Sequence, residues 1–249
     1  MTDHILVERS GAVQTIRLNR PEKKNAITRA MYERMAAALR DGDADDGVRV
    51  HVFLGAPGAF SSGNDLQDFL AVATGTEPDG DVFDFLVALA TAKKPVVSGV
   101  DGLAIGIGTT IHLHCDMTFA TPDSLFRTPF TDLGLVPEAA SSLIAPRIMG
   151  HQRAFALLAA GEGFSAKQAL EAGLIRGIVE PEALEGAVRE AAEALAAKPP
   201  EALQLAKKLI KSPTEPVIER IREEGELFMQ RLKSDEAREA FMAFMARKK

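Results

Sequence analysis

Glu138 is the acidic residue whose neighbours along the chain most favour proton chemistry. It follows Pro137 and opens a stretch of apolar and small residues, Ala139-Ala140-Ser141-Ser142-Leu143-Ile144-Ala145. A carboxyl carried into such surroundings loses solvent, and desolvation raises its proton affinity towards the range a proton shuttle needs. The same residues also fit a plainer role, an acid in a helix's first turn, favoured by the helix dipole. A second candidate is the segment from Gly102 to Gly108, which follows an apolar run and precedes a helical one. Its backbone N–H groups could face an anion, although tight strand-to-helix packing also explains the glycines. A dinucleotide site would need a third glycine where Thr109, Thr110 and Ile111 stand, and no phosphate-loop lysine follows. His112 and His114 diverge at helical spacing, so no metal site is expected. Ser61 and Ser62 lack the Gly-x-Ser-x-Gly spacing and an assignable His/Asp partner, which argues against a serine nucleophile.

These residues need elements to position them. Ile5 to Arg9 and Ala12 to Leu18 alternate in the strand manner around Ser10-Gly11, which predicts a hairpin. Thr28 caps a predicted helix running to about Arg40, ended by Asp41-Gly42-Asp43. Predicted strands follow at Val48 to Leu54, Val96 to Val100 and Met117 to Ala120, with helices over Val82 to Ala92, up to His114, and over Ala139 to Met149. A polar, Gly-rich stretch runs from Thr74 to Asp81. Repeated strand-then-helix units argue for an α/β core of parallel strands. Ser165-Ala166-Lys167-Gln168 reads as a capping box. Predicted helices then cover Glu182 to Ala197, Glu201 to Lys211, Val217 to Leu232 and Asp235 to Arg247, separated by prolines. The chain divides accordingly into an α/β part, 1–181, and a helical part, 182–249.

Composition narrows the classes. The 249 residues suffice for a substantial core, and 46% hydrophobic with 26% charged is an ordinary globular balance. A net charge of −6, with no strongly basic region, argues against nucleic acid as a partner. The single cysteine, Cys115, makes no intrachain disulfide, and the opening Met1-Thr2-Asp3-His4 lacks the pattern of a secretion signal. A cytoplasmic location is the expectation. The longest apolar window, Val96 to Leu113, is cut by Asp101, glycines and His112, so no membrane span is expected.

Taken together, the motifs resemble the crotonase (enoyl-CoA hydratase/isomerase) superfamily over essentially the whole chain. The resemblance is carried by Asn19-Arg20-Pro21 with Asn25-Ala26, by Ala59 to Leu66, and by Lys94-Pro95-Val96 with Asp101-Gly102. Cys115-Asp116 and the run from Gly161 through Phe164-Ser165-Ala166 to Gly173-Leu174 complete it. It implies a spiral of ββα units, a helical C-terminal trimerisation region, an acyl-CoA thioester substrate, and an enolate held by two backbone N–H groups. By position those donors are Asn64 and Ile107. Ile107 stands where the family commonly has glycine, and its bulk is expected to reshape the acyl pocket. Substrate or coenzyme A contacts carried over in the same way are Lys23, Asn25, Ala26, Ser62, Gly63, Asp65, Leu66, Gly106, Phe130 and Pro137. Lys24, Lys207, Lys208 and Lys211 are further candidates for the coenzyme A phosphates, though solvated faces explain them as well.

The two glutamates with which hydratases add water correspond to Thr110 and Phe130, neither of which moves a proton as a carboxylate does. The run from Phe126 to Ser142 looks instead like the peroxisomal-type Δ3,Δ2-enoyl-CoA isomerases, in which one glutamate does the chemistry, and Glu138 sits on its position. The implied enzyme needs no cofactor beyond coenzyme A as part of the substrate, and assembles as a homotrimer or a dimer of trimers. The Arg247-Lys248-Lys249 end is not a Ser-Lys-Leu address, so a peroxisomal compartment is not implied. Two other readings stay open: hydratase or other enolate chemistry through Glu138, with Asp132 as a possible recruit, and a catalytically silent acyl-CoA-binding subunit.

Overall fold

The computed structural model describes residues 3–65, 67–68 and 80–246; Leu66, most of the stretch from Thr74, and Arg247 to Lys249 lie outside them. The chain opens with β1 (Ile5–Ser10) and β2 (Val13–Leu18), an antiparallel hairpin. A spiral follows in which paired strands feed two different sheets. β3 (Val50–Leu54), β5 (Val96–Val100) and β7 (Met117–Ala120) join the hairpin and β10 (Gly177–Ile178) in a six-stranded sheet, ordered β1-β2-β3-β5-β7-β10. Their partners β4 (Ala59–Ser61), β6 (Leu103–Ile105) and β8 (Leu125–Arg127) form a four-stranded sheet with β9 (Phe164–Ser165), in the order β4-β6-β8-β9. β2 through β10 run parallel in the first sheet, as crossover connections require. The short second strands β6 and β8 carry too few residues to show a period of two, and the sequence gives them no separate signal.

The helices are α1 (Arg29–Ala44), α2 (Gly80–Ala90), α3 (Ile107–Thr110), α4 (Ser141–Met149), α5 (His151–Leu158), α6 (Ala166–Glu171), α7 (Pro181–Ala196), α8 (Pro200–Lys211), α9 (Glu215–Leu232) and α10 (Asp235–Ala246). Thr28 Oγ1 accepts from Met31 N, and Ser165 with Gln168 forms the reciprocal capping box, as expected. Several boundaries shift by a few residues, and two of the shifts have a physical reason. Gly42 lies inside α1 and does not end it: a Cβ there would stand 2.5 Å from His51 and 2.7 Å from Gln14, so this glycine admits β2 and β3 to the helix. Helix α4 begins at Ser141 and not at Ala139, because Ala139 and Ala140 take left-handed conformations, φ 61° and 52°.

Hydrophobic layers cover both faces of the large sheet. On one side Leu184, Val188 and Ala192, one stripe of α7, pack on Val50, Val52, Leu54 and Val97. On the other, α1 and α2 contribute Met31, Met35, Leu39, Phe85 and Leu89 to the main core. Helices α9 and α10 return to that same core through Ile221, Leu232, Ala237 and Phe241. The helical C-terminal part is thus packed into the α/β part on both sides. No helix among the described residues is long and apolar enough to cross a membrane.

Candidate active site

Two turns at the ends of neighbouring strands build the centre of the site. Ser61 pairs with Ala104 in the parallel β4–β6 ladder, and Asn64 and Ile107 each follow three residues on, in the turns that leave these neighbouring strands. Asn64 forms an isolated parallel bridge with Ile27, in which Gly63 O accepts from Ile27 N (2.8 Å) and Asp65 N donates to Ile27 O (2.9 Å). In a parallel bridge the central residue's own N–H points to the opposite side. Asn64 N–H therefore faces away from Ile27. Ile107 is the first residue of α3, where an N–H has no intrahelical acceptor. Neither N–H finds a backbone acceptor outside the regular elements among the described residues. Glycines permit this geometry: Gly63 (φ 94°) and Gly106 (φ 58°) hold conformations that side chains resist. Tyr32, the single tyrosine, anchors the Asn64 side chain by donating its hydroxyl to Oδ1 at 2.5 Å. Burial first, and the Glu138 charge second, push that hydroxyl well above its usual pKa, so it stays a donor.

Asn64, Tyr32 and Glu138 share a cavity of about 500 Å³ whose walls are largely apolar, including Val82, Leu86, Ile221 and Met229. Glu138 is 8% exposed. Its Oε1 accepts the hydroxyl of Thr110 at 2.6 Å. Burial pushes the carboxyl up to about 8; the Thr110 hydrogen bond opposes that rise, and the charge of Glu224 adds to it. The turn after Glu138 is held from below, where His114 Nε2 donates to Ala139 O at 2.7 Å. That carbonyl can only accept, so the ring carries its proton on Nε2. Burial, with Lys211 second, lowers His114 to about 4 and keeps it neutral near pH 7. Each left-handed alanine in this turn stores roughly 1–3 kcal/mol of strain, and such strain persists only where surrounding contacts fix the backbone. Glu138 is therefore aimed by a braced turn and not by the first turn of a helix.

The remaining expected residues differ in where the fold places them. Asp65 and Asn64 line the cavity. Asn25, Ala26, Lys23 and Ser62 build the turn beneath it. The Asn25 side chain is buried and spent on Arg20 N (2.7 Å) and Ala59 O (2.9 Å), while Ala26 O accepts from Arg20 Nη1, which also pairs with Asp65 at 2.6 Å. Ser62 hydrogen-bonds Lys23 and Lys24 carbonyls, leaving both lysine side chains exposed. Phe130 is buried and Pro137 half-buried, and neither is on the cavity wall, nor is Ile107, which is 2% exposed. The bulk of Ile107 is thus taken up by the core and not by the described cavity. Leu66 lies outside the described residues. Lys207 and Lys211 are committed to Asp116, at 2.9 and 3.3 Å, which leaves Lys208 exposed. Asp132 is exposed and paired with Arg127 at 2.9 Å, away from the cavity wall. Sequence reasoning missed Tyr32 and Glu224, and weighed His114 only as a metal ligand and not as the support for Ala139 O; a lone tyrosine on the apolar face of α1 was a signal available for Tyr32.

A family model described as Enoyl-CoA hydratase/isomerase matches residues 8–249. The chain is 34% identical, over 98% of its length, to enoyl-CoA delta isomerase 2 of Rattus norvegicus, and spans 64% of that protein. It is 35% identical over 85% of its length to 1,2-epoxyphenylacetyl-CoA isomerase of Escherichia coli (strain K12), covering 83% of it. A probable enoyl-CoA hydratase of Rhizobium meliloti (strain 1021) is 31% identical over 98% of this chain and 96% of that one. The solved structure of Pseudomonas aeruginosa OdaA superposes with a TM-score of 0.93 at 43% identity, over 98% of this chain and 99% of that one. Fold and site together define a crotonase-type protein. The chain belongs to the enoyl-CoA hydratase/isomerase family.

Proposed function

We propose that this protein is a Δ3,Δ2-enoyl-CoA isomerase in which Glu138 alone carries the proton. The Glu138 carboxylate removes a proton from C2 of a 3-enoyl-CoA, and the electron pair spreads over the thioester carbonyl and the C3–C4 double bond. In this reading the N–H groups of Asn64 and Ile107 receive the charge that develops on the carbonyl oxygen, as preorganised donors do for such an oxygen. Protonated Glu138 then delivers its proton to C4, leaving a C2–C3 double bond. The observation that carries this reading is the pairing of Glu138 with a hydroxyl: Thr110 stands where hydratases are expected to hold a second carboxylate. A carboxyl held near 8 suits both halves of the transfer, since it accepts and returns a proton near neutral pH. Apolar cavity walls support the reading by favouring water exclusion.

In this proposal the substrate is an acyl-CoA thioester, and the enzyme uses no further cofactor. Lys23, Lys24 and Lys208, all exposed, remain candidates for the phosphates. Homotrimeric assembly, or a dimer of trimers, is supported by the apolar Leu209 and Ile210, which are 79% and 84% exposed on α8 in the single chain. The test is proton NMR of purified protein with 3-hexenoyl-CoA. Build-up of 2-hexenoyl-CoA with little 3-hydroxy product is expected. Prompt hydration would overturn the single-glutamate reading, and an unchanged spectrum would reject the reaction.

A further inference from the structure

Glu224 is a buried carboxylate with no part in the reaction as written above. It sits on α9, the helix that supplies Ile221 and Met229 to the cavity wall, and it is 5% exposed. Its Oε1 accepts from both Ser142 N (3.0 Å) and Ser142 Oγ (2.5 Å). Arg220 Nη1 donates to that same Ser142 hydroxyl at 2.9 Å, which fixes the direction of the hydroxyl towards Glu224. Ser142 is the second residue of α4, and the residue before that helix, Ala140, offers no side-chain cap. A helix N-terminus without a local cap leaves N–H groups that something else must satisfy. Glu224 satisfies one from 82 residues away, immediately after the strained turn that aims Glu138.

We propose that Glu224 is a positioning residue for Glu138, acting through Ser142 and the first turn of α4. The inference rests on the reading of Glu138 as the proton carrier. Together with His114 below Ala139, it braces both ends of the left-handed pair Ala139-Ala140, so the turn has no slack in which the carboxyl could swing. A second observation separates this role from simple capping. Glu224 Oε2 is buried and has no hydrogen-bond partner, and a neutral glutamine would cap Ser142 without burying a charge. Burial raises the Glu224 carboxyl above its usual range, opposed by Ser142, the Ala140 backbone and Arg220, and its ionised form adds negative charge near a second buried carboxyl. The groups around the pair are Thr110, Tyr32 from α1 and His114 on the Glu138 side, and Arg220, Ser142 and the Ala140 backbone on the Glu224 side. Arg220 also pairs with Glu223 at 2.9 Å, so its charge is shared.

The test compares wild type with Glu224→Gln and Glu224→Ala. Kinetics with 3-hexenoyl-CoA are run alongside ¹³C NMR titration of side-chain-labelled glutamate, the Glu138 signal being identified by its loss in Glu138→Gln. Glu224→Ala is expected to lower kcat by about tenfold or more with KM within about threefold, because misplacement costs rate before binding. Glu224→Gln, which keeps the acceptor for Ser142, is expected to restore most of kcat and to move the Glu138 midpoint to lower pH. An unmoved midpoint in Glu224→Gln, or an unchanged kcat in Glu224→Ala, overturns the proposal. If Glu224→Ala does not fold, the glutamine variant and its titration decide. A wild type that does not isomerise the substrate defeats the proposed reaction alone, and the NMR midpoint still decides the role of Glu224.

Discussion

A carboxyl buried under an apolar cavity is held against its own ionisation, and that conflict is measurable at Glu138. Its folded-state pKa of about 8 lies above the ordinary 4.5, so between those values the folded chain binds more protons than the unfolded one. The stability associated with the protonated group is therefore complete below the ordinary value and is lost as pH rises through about 8. Glu138→Gln is expected to be more stable than wild type at pH 8, by on the order of one to a few kcal/mol, and to lose that advantage near pH 4. Urea unfolding at the two pH values checks it. The same substitution is expected to lower kcat by about a hundredfold to ten-thousandfold, the usual contribution of general acid–base catalysis. In wild type, kcat/KM should rise with pH up to about 8, because the carboxylate is the form that abstracts the proton. A flat profile from pH 5 to 9 would remove Glu138 from that role.

At the scale of elements, the two strand-end turns matter through their separation. A Cβ on Gly108 would stand 2.9 Å from Ser61 O and 3.0 Å from Ser61 Cβ, although its backbone is ordinary helix. Gly108→Ala should thus push α3 away from β4 without left-handed strain. The expected result is a fall in kcat of about tenfold or more, as one donor is displaced by a fraction of an ångström, with KM changed less. Steady-state kinetics read the split, and thermal unfolding reads the accompanying loss of packing. The glycine pattern from Gly102 to Gly108 was legible in the sequence. The reason for each glycine was not, because close approach to β4 and an anion-facing turn leave the same mark in a sequence. Gly42 makes the same point: it reads as a helix stop and instead makes room for His51 and Gln14.

The whole molecule is tied across its layers at Asp116. Its Oδ2 accepts from Val96 N at 2.7 Å, and Lys207 of α8 donates both to Asp116 (2.9 Å) and to Lys94 O (2.6 Å). Burial alone would raise the Asp116 carboxyl, but Lys207 and Lys211 overcome that and hold it below the usual carboxylate range. A depressed pKa contributes stability above the ordinary value, lost as pH falls through the folded one. Asp116→Asn should destabilise at pH 7 by about 3–5 kcal/mol, since it leaves Lys207 buried beside a neutral group. The penalty should shrink towards pH 3, where Asp116 in the wild type begins to protonate. Chemical denaturation at both pH values tests the sign. The sequence left Lys207 and Lys211 open between phosphate contacts and solvated faces; the folded chain commits both to Asp116, a partner that no local pattern marks.

What the sequence determined by itself is what short stretches of chain encode. Alternation placed the hairpin, β-branched runs placed the buried strands, Thr28 and the Ser165–Gln168 box placed helix starts, and ordered motifs led to the family. Glu138 stood out for its small, apolar neighbours. Only the tertiary structure decided that Glu138 sits in a strained turn, that Thr110 hydrogen-bonds it, that Tyr32 anchors Asn64, and that Glu224 reaches back to cap α4. The physical reason is distance along the chain: Thr110 and Glu138 are 28 residues apart, and Ser142 and Glu224 are 82 apart. Periodicity and capping act within a few residues, whereas desolvation and hydrogen bonding across the cavity depend on which surfaces the packed sheets bring together.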